Sequence, residues 1–228
     1  MNLSKSMKSA MYALFFVSGF TGLVYEVTWT RMLTTVFGST TYAITCVLSA
    51  FMGGLAIGSF AIGRYMERRR NPILVYALLE VGIGITALLV PNVLGILDNI
   101  YPLIYEYAAS YLWLLVLTKL VLSLLVLVVP TFLMGGTLPV LCELFVSRPK
   151  ESGRQIGMLY ATNTIGAAIG CFAAGFFLIE LLGITKTVQL AAAVNFLLGI
   201  VSLTLGAHYR HTRSDIAPTD IDEAGKAL

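Results

Sequence analysis

Long apolar runs broken by short polar and basic stretches organise this chain, and none of the long runs alternates with a period of two. Reading the runs by length and hydropathy predicts six helices, at 9–33, 41–64, 73–96, 111–141, 156–182 and 185–207. Each is close to or above the roughly 20 residues that cross a hydrocarbon core. A transmembrane barrel would show short alternating segments instead of unbroken runs such as "LWLLVLTKLVLSLLVLVVP" at 112–130. The predicted fold is all-α, a polytopic transmembrane bundle of about six helices occupying residues 1–208. Residues 209–228 are polar, mixed in charge and too few to fold alone, which predicts a disordered tail.

Composition agrees with the pattern. Of 228 residues 57% are apolar and 12% charged, with a mean hydropathy of +0.85, outside the range of soluble domains. The distribution of Lys and Arg predicts orientation, because basic residues in short loops stay cytoplasmic. Lys5 and Lys8 precede helix one, and Arg64, Arg68, Arg69 and Arg70 follow helix two. Arg148, Lys150 and Arg154 follow helix four, and Arg210, Arg213 and Lys226 follow helix six. The opposite side has Arg31 and Lys186, with Asp98 and Glu106 in a longer connection after helix three. Both termini are therefore expected in the cytoplasm, with anionic lipid as the natural partner of the basic loops and no role for nucleic acid. "ERRRNP" reads first as a topology-setting connector and second as a lipid switch. The first span is too long for a signal-peptide core and lacks a small-residue cleavage site, so it is expected to remain as an anchor. Cys46, Cys142 and Cys171 fall within or at the ends of spans and read as packing residues. His208 and His211 lie near the tail, so neither a metal site nor a cofactor is expected.

Charges inside spans carry the functional signal, since each must face protein or water and find a partner. "GLVYEVTWTR" at 22–31 places Glu26 and Arg31 in helix one, five positions and so about 140° apart, too far round for a helical pair. Similar depth suggests Glu26 with Lys119, leaving Arg31 to Glu180 or to headgroup phosphate. Glu80 falls in the cytoplasmic half of helix three. These charges are either mutually neutralised contacts between helices or the lining of a path for a charged substrate. Tyr25 and Trp29, four apart, share a face that could hold a cation, although Trp29 also fits an interfacial aromatic belt. Either carboxyl is a conceivable proton-coupling group.

Helix four contains Pro130, Gly135, Gly136 and Pro139, which predict a kink or an unwound segment; the alternatives are a packing bend and a substrate-binding break. Helix five places Gly166, Gly170 and Ala174 in a small-residue stripe, and helix two does the same with Gly54, Gly58 and Gly63. Asn163, beside Thr162 and Thr164, is expected to hydrogen-bond between helices first and to touch substrate second.

Several separated motifs resemble the N-terminal membrane domain of bacterial spermidine-synthase-like membrane proteins, the fused major-facilitator and spermidine-synthase group. They are "SGFTGLVYEVTWTRMLTTVFGSTTYA" at 18–43, "GGLAIGSFAIGR" at 53–64, "YALLEVGIG" at 76–84, "PTFLMGGTLPVL" at 130–141 and "GMLYATNTIGAAIGCFAAGFFLIELLG" at 157–183. The resemblance implies an inner-membrane protein shaped like half of a major facilitator transporter, with "GRYMERRR" as a loose form of that superfamily's basic loop. The positions it singles out are Tyr25, Glu26, Trp29, Arg31, Glu80, Lys119, Pro130, Gly135, Pro139, Tyr160, Asn163 and Gly166. Lys119 stands where an arginine is expected, keeping the charge without the guanidinium fork. Residues after 208 leave no room for the soluble aminopropyltransferase domain of that family, so this chain is expected not to be the enzyme. The implied function is transport or channelling of a polyamine or similar small cation, as a homodimer or beside a separately encoded synthase. The alternative is a membrane anchor for a cytoplasmic aminopropyltransferase, or the membrane fragment of a split synthase.

Overall fold

A computed structural model describes residues 5–66, 71–145 and 152–214. The connections at 67–70 and 146–151, which hold much of the basic charge, and the tail beyond 214 lie outside the described residues. Helix α1 spans Lys5–Phe37, α2 Thr41–Met66, α3 Pro72–Ala108 and α4 Leu112–Phe145. Helix α5 spans Ser152–Ala173 and passes through a π-helical stretch, Ala174–Leu178, into the short α6, Ile179–Leu182; α7 spans Ile184–Ser214. Counting α5 through α6 as one rod, six helices are long and apolar enough to cross a membrane. No strand occurs among the described residues.

Local chemistry fixes the turns. Gly38 and Gly183 adopt φ of 82° and 79°, a left-handed conformation that only glycine reaches without strain, and each ends a span. Thr40 Oγ1 accepts from Ala43 N at 3.2 Å to start α2, and Asn71 Oδ1 accepts from Leu74 N ahead of Pro72 to start α3.

The spans pack most extensively in three pairs, α2 with α4, α1 with α5 and α3 with α7. Glycine makes each pairing close. A methyl group at Gly58 would strike the Phe132 carbonyl, and one at Gly135 the Leu55 carbonyl, so α2 and α4 touch backbone to backbone from both sides. Gly166 and Gly170 meet the carbonyls of Phe16 and Phe20 on α1 in the same way, while Gly199 of α7 meets Ala77 and Val81 of α3. Such contacts substitute for the hydrophobic effect, which supplies no attraction between helices already in lipid.

Three expectations need correction. Helix three was expected to end at 96, yet α3 runs on to Ala108 through Pro102, about 18 Å further at the usual rise per residue. Leu94, Leu97 and Tyr101 continue its buried stripe, and Tyr101 packs on Phe37 with ring centroids 4.9 Å apart. Helix four does not unwind at Pro130, Gly135, Gly136 and Pro139: α4 is continuous through all four, because the two glycines seat α2 and the prolines are accommodated within the helix. Residues 209–214, expected in the tail, are instead helical as the end of α7. Among the cysteines Cys46 is buried and Cys142 half-buried, whereas Cys171, expected as a packing residue, is exposed.

The α2–α4 seam generates a contrast. Gly58→Ala and Gly135→Ala should each cost about 1–3 kcal/mol by overpacking. Gly53→Ala, where an added methyl meets nothing within 4 Å, should be neutral or slightly stabilising. Thermal unfolding of the purified protein in mild detergent measures the difference.

Candidate functional site

Glu80 lies nine residues into α3, with no solvent exposure at all. Its Oε2 accepts from Asn195 Nδ2 of α7 at 2.6 Å, and Asn195 Oδ1 accepts from the Tyr25 hydroxyl of α1 at 2.9 Å. Ser18 of α1 and Tyr76, one turn before Glu80, also face the carboxyl group. Three helices thus supply a polar cluster around one acidic side chain, and burying a polar group at this depth is tolerable only with such partners. Tyr25 in turn stacks on Trp29, centroids 5.0 Å apart and planes 17° from parallel, and Trp29 leans on Phe51 of α2 at 6.4 Å. Trp29 is wholly interior, which excludes the interfacial-belt alternative.

Beside this cluster is a cavity of about 90 Å³ that touches all six spans. Its polar lining comes from Ser18, Thr21, Thr137, Asn163 and Asn195. A water's share of liquid volume is about 30 Å³, so the space suits about three waters or one small polar head group. Asn195 joins the two features: one face of its side chain borders the cavity while its amide is fixed by Glu80 and Tyr25. Asn163 borders the cavity too, and its Nδ2 donates to Phe15 O of α1 at 3.1 Å, the interhelical bond expected of it.

The remaining candidates separate. Lys119 does not meet Glu26. Its Nζ donates to Phe37 O at 2.8 Å, so the ammonium caps the C-terminal end of α1, where carbonyls lack helical partners and the helix dipole is negative. Phe37 lies eleven residues after Glu26, about 16 Å along the axis, and the depth match inferred from the sequence fails because α1 extends a turn beyond its expected end. Glu26 is itself buried, 8% exposed, and its Oε2 has no hydrogen-bond partner; Trp29 Nε1 and Thr30 Oγ1, within one turn of it, are in the same condition. Arg31 and Glu180 are both exposed on the outside of the bundle, and Tyr160, at 63% exposure, points away from the interior. Of the helix-break candidates, Pro130 is buried, Gly136, Gly166 and Gly170 are seam positions like Gly135, and Pro139 packs near Gly63.

Ser18, Thr21, Tyr76, Thr137 and Asn195 escaped the sequence reading. Tyr76 is four residues before Glu80 and so on its face, and Asn195 is a lone amide in the apolar run "LAAAVNFLLG". Both signals were present. Ser18, Thr21 and Thr137 had none, being small hydroxyl residues of the kind that commonly bond to their own helix.

Comparison with known proteins gives a distant relationship. Polyamine aminopropyltransferase 1 of Streptomyces coelicolor is 25% identical over 181 residues, covering 79% of this chain and 31% of that protein. The polyamine aminopropyltransferase of Mycobacterium tuberculosis is 29% identical over 196 residues, covering 82% of this chain and 34% of that protein. The chain therefore spans about a third of the length of the curated relatives it matches. No family model matches the chain, and no solved structure does.

Two outcomes follow from the site's geometry. Exchanging the charges, Glu26→Lys together with Lys119→Glu, should leave membrane expression no higher than in the worse single variant, because the two groups are not partners. Asn195→Leu strips a buried acceptor of its donor and should cost about 1–3 kcal/mol, read by thermal unfolding in detergent.

Proposed function

We propose that this chain is a membrane component of polyamine metabolism that binds a polyamine or a similar small organic cation between its helices and conducts it through the bilayer. The observation that carries the reading is the enclosed Glu80 carboxyl beside a cavity reached by all six spans, whose mostly apolar wall carries hydroxyl and amide side chains. A membrane protein keeps an acidic group in its interior at a cost, and the usual return is recognition of a cation or a proton. The similarity to polyamine aminopropyltransferases supports a polyamine as that cation. Resemblance to half of a major facilitator transporter supports a second copy, or a separately encoded synthase, as the partner that completes a pathway. Orientation with both termini in the cytoplasm of a bacterial cell follows from the basic connections. In this reading aminopropyl transfer itself belongs to the partner.

A second reading has its own support. The similarity falls on about a third of each aminopropyltransferase, as expected of a piece that anchors a synthase to the membrane without moving substrate.

Uptake of labelled spermidine into vesicles containing the purified protein separates the two. Transport predicts uptake above protein-free vesicles and at least a tenfold loss in Glu80→Gln; an anchor predicts no uptake and capture of a synthase from the native membrane. Crosslinking in mild detergent should show a dimer under the first reading, and monomer alone would remove the two-copy pathway.

A further inference from the structure

Helix α1 presents one continuous face from the cavity to Glu26. Ser18, Gly19, Gly22 and Leu23 line the cavity. Glu26 follows Leu23 by three residues, Gly22 by four and Gly19 by seven, the spacings that stack side chains on one side of a helix. Thr30 follows Glu26 by four and extends the line. Midway, the space over Gly22 is open, since a methyl built there meets nothing within 4 Å. At the far end Glu26 Oε2 and Thr30 Oγ1 are buried acceptors with no hydrogen-bond partner among the described residues. An unpartnered carboxyl oxygen, more than nine-tenths enclosed in a membrane bundle, is costly unless a cation or donor comes to it.

We propose that this face is a two-ended track for an extended diammonium ligand, with one ammonium in the cavity between Ser18 and Asn195 and the other at Glu26 and Thr30. The inference rests on the polyamine reading above and adds which part of the ligand goes where. The cavity, at about 90 Å³, has room for an ammonium head. Its acceptors are the hydroxyls of Ser18 and Thr21 and the amide of Asn163, while Glu80 balances the charge through Asn195. Ser18 and Glu26 are eight residues apart, about 12 Å along the helix. An extended chain advances about 1.2 Å per bond, so the two nitrogens should be about ten bonds apart. Gly22 leaves room for the methylenes between them, and no acidic group is needed there.

Calorimetric titration of the purified protein in nanodiscs with α,ω-diamines of four to twelve methylenes, and with octylamine as the one-headed control, tests this. The expected result is an optimum near eight or nine methylenes, at least tenfold tighter than 1,4-diaminobutane and than octylamine. Glu26→Gln should abolish that optimum and bring 1,8-diaminooctane down to the affinity of octylamine, with octylamine itself unchanged within twofold. Thr30→Val should do the same in part, and it keeps the test available should Glu26→Gln fail to fold. Length dependence identical in wild type and both variants, or an optimum at four methylenes, overturns the track and leaves the polyamine reading standing. Absence of binding by every amine overturns both.

Discussion

Polar atoms at bilayer depth have no water to satisfy them, and enclosure by neighbouring helices is the constraint on which this structure depends. Enclosure requires helices to come close, and closeness here is set by glycine. On α2 and α4 the glycines face each other's carbonyls, and on α1 and α5 they do so for two successive turns of one helix. Larger side chains at those positions would hold the rods apart and open the interior to lipid. The three pairings then leave a polar centre in which Glu80, Asn195, Tyr25 and Ser18 can be both buried and bonded.

That centre differs in kind from the other charged positions. Lys119 is buried because a helix end offers it a carbonyl, and its role is complete without a ligand. Glu80 has amide and hydroxyl groups of three helices around it and an empty space one side chain away, yet its Oε1 has no hydrogen-bond partner. Glu26 is enclosed and its Oε2 has no hydrogen-bond partner. Charged groups in this bundle thus range from a fully partnered ammonium at Lys119 to carboxyl groups with one oxygen unbonded at Glu80 and Glu26. Arg31 and Tyr160 face outward, away from these groups.

How far the sequence announced this depends on the kind of signal. Spans were legible because hydropathy integrates over about twenty residues and tolerates local exceptions. The extension of α3 was not, since Asp98, Asn99 and Pro102 depress hydropathy just where the buried stripe of Leu94, Leu97 and Tyr101 continues. Glu80 stood out as a charge in an apolar run, but its partner lies 115 residues away and no local pattern could name it. The Lys119 partner was harder still, because a main-chain carbonyl leaves no mark in a sequence. Prolines in α4 misled as to unwinding for the opposite reason: in a soluble helix they would signal interruption, whereas here the helix continues through them.

The wider winding at Ala174–Leu178 has a consequence for the fifth rod. Its inward positions before that stretch recur every fourth residue, at Gly166, Gly170 and Ala174, and the next is Ile179, five on. The extra residue changes the phase of the helix by about 100°. The carbonyl of Leu178 is met by the hydroxyl of Thr187 at 3.0 Å, from across the single-glycine hinge at Gly183. One inserted residue thus lets a small-residue groove serve α1 along most of the rod while its last turn is indexed to α7, so a single span keeps two different neighbours in step.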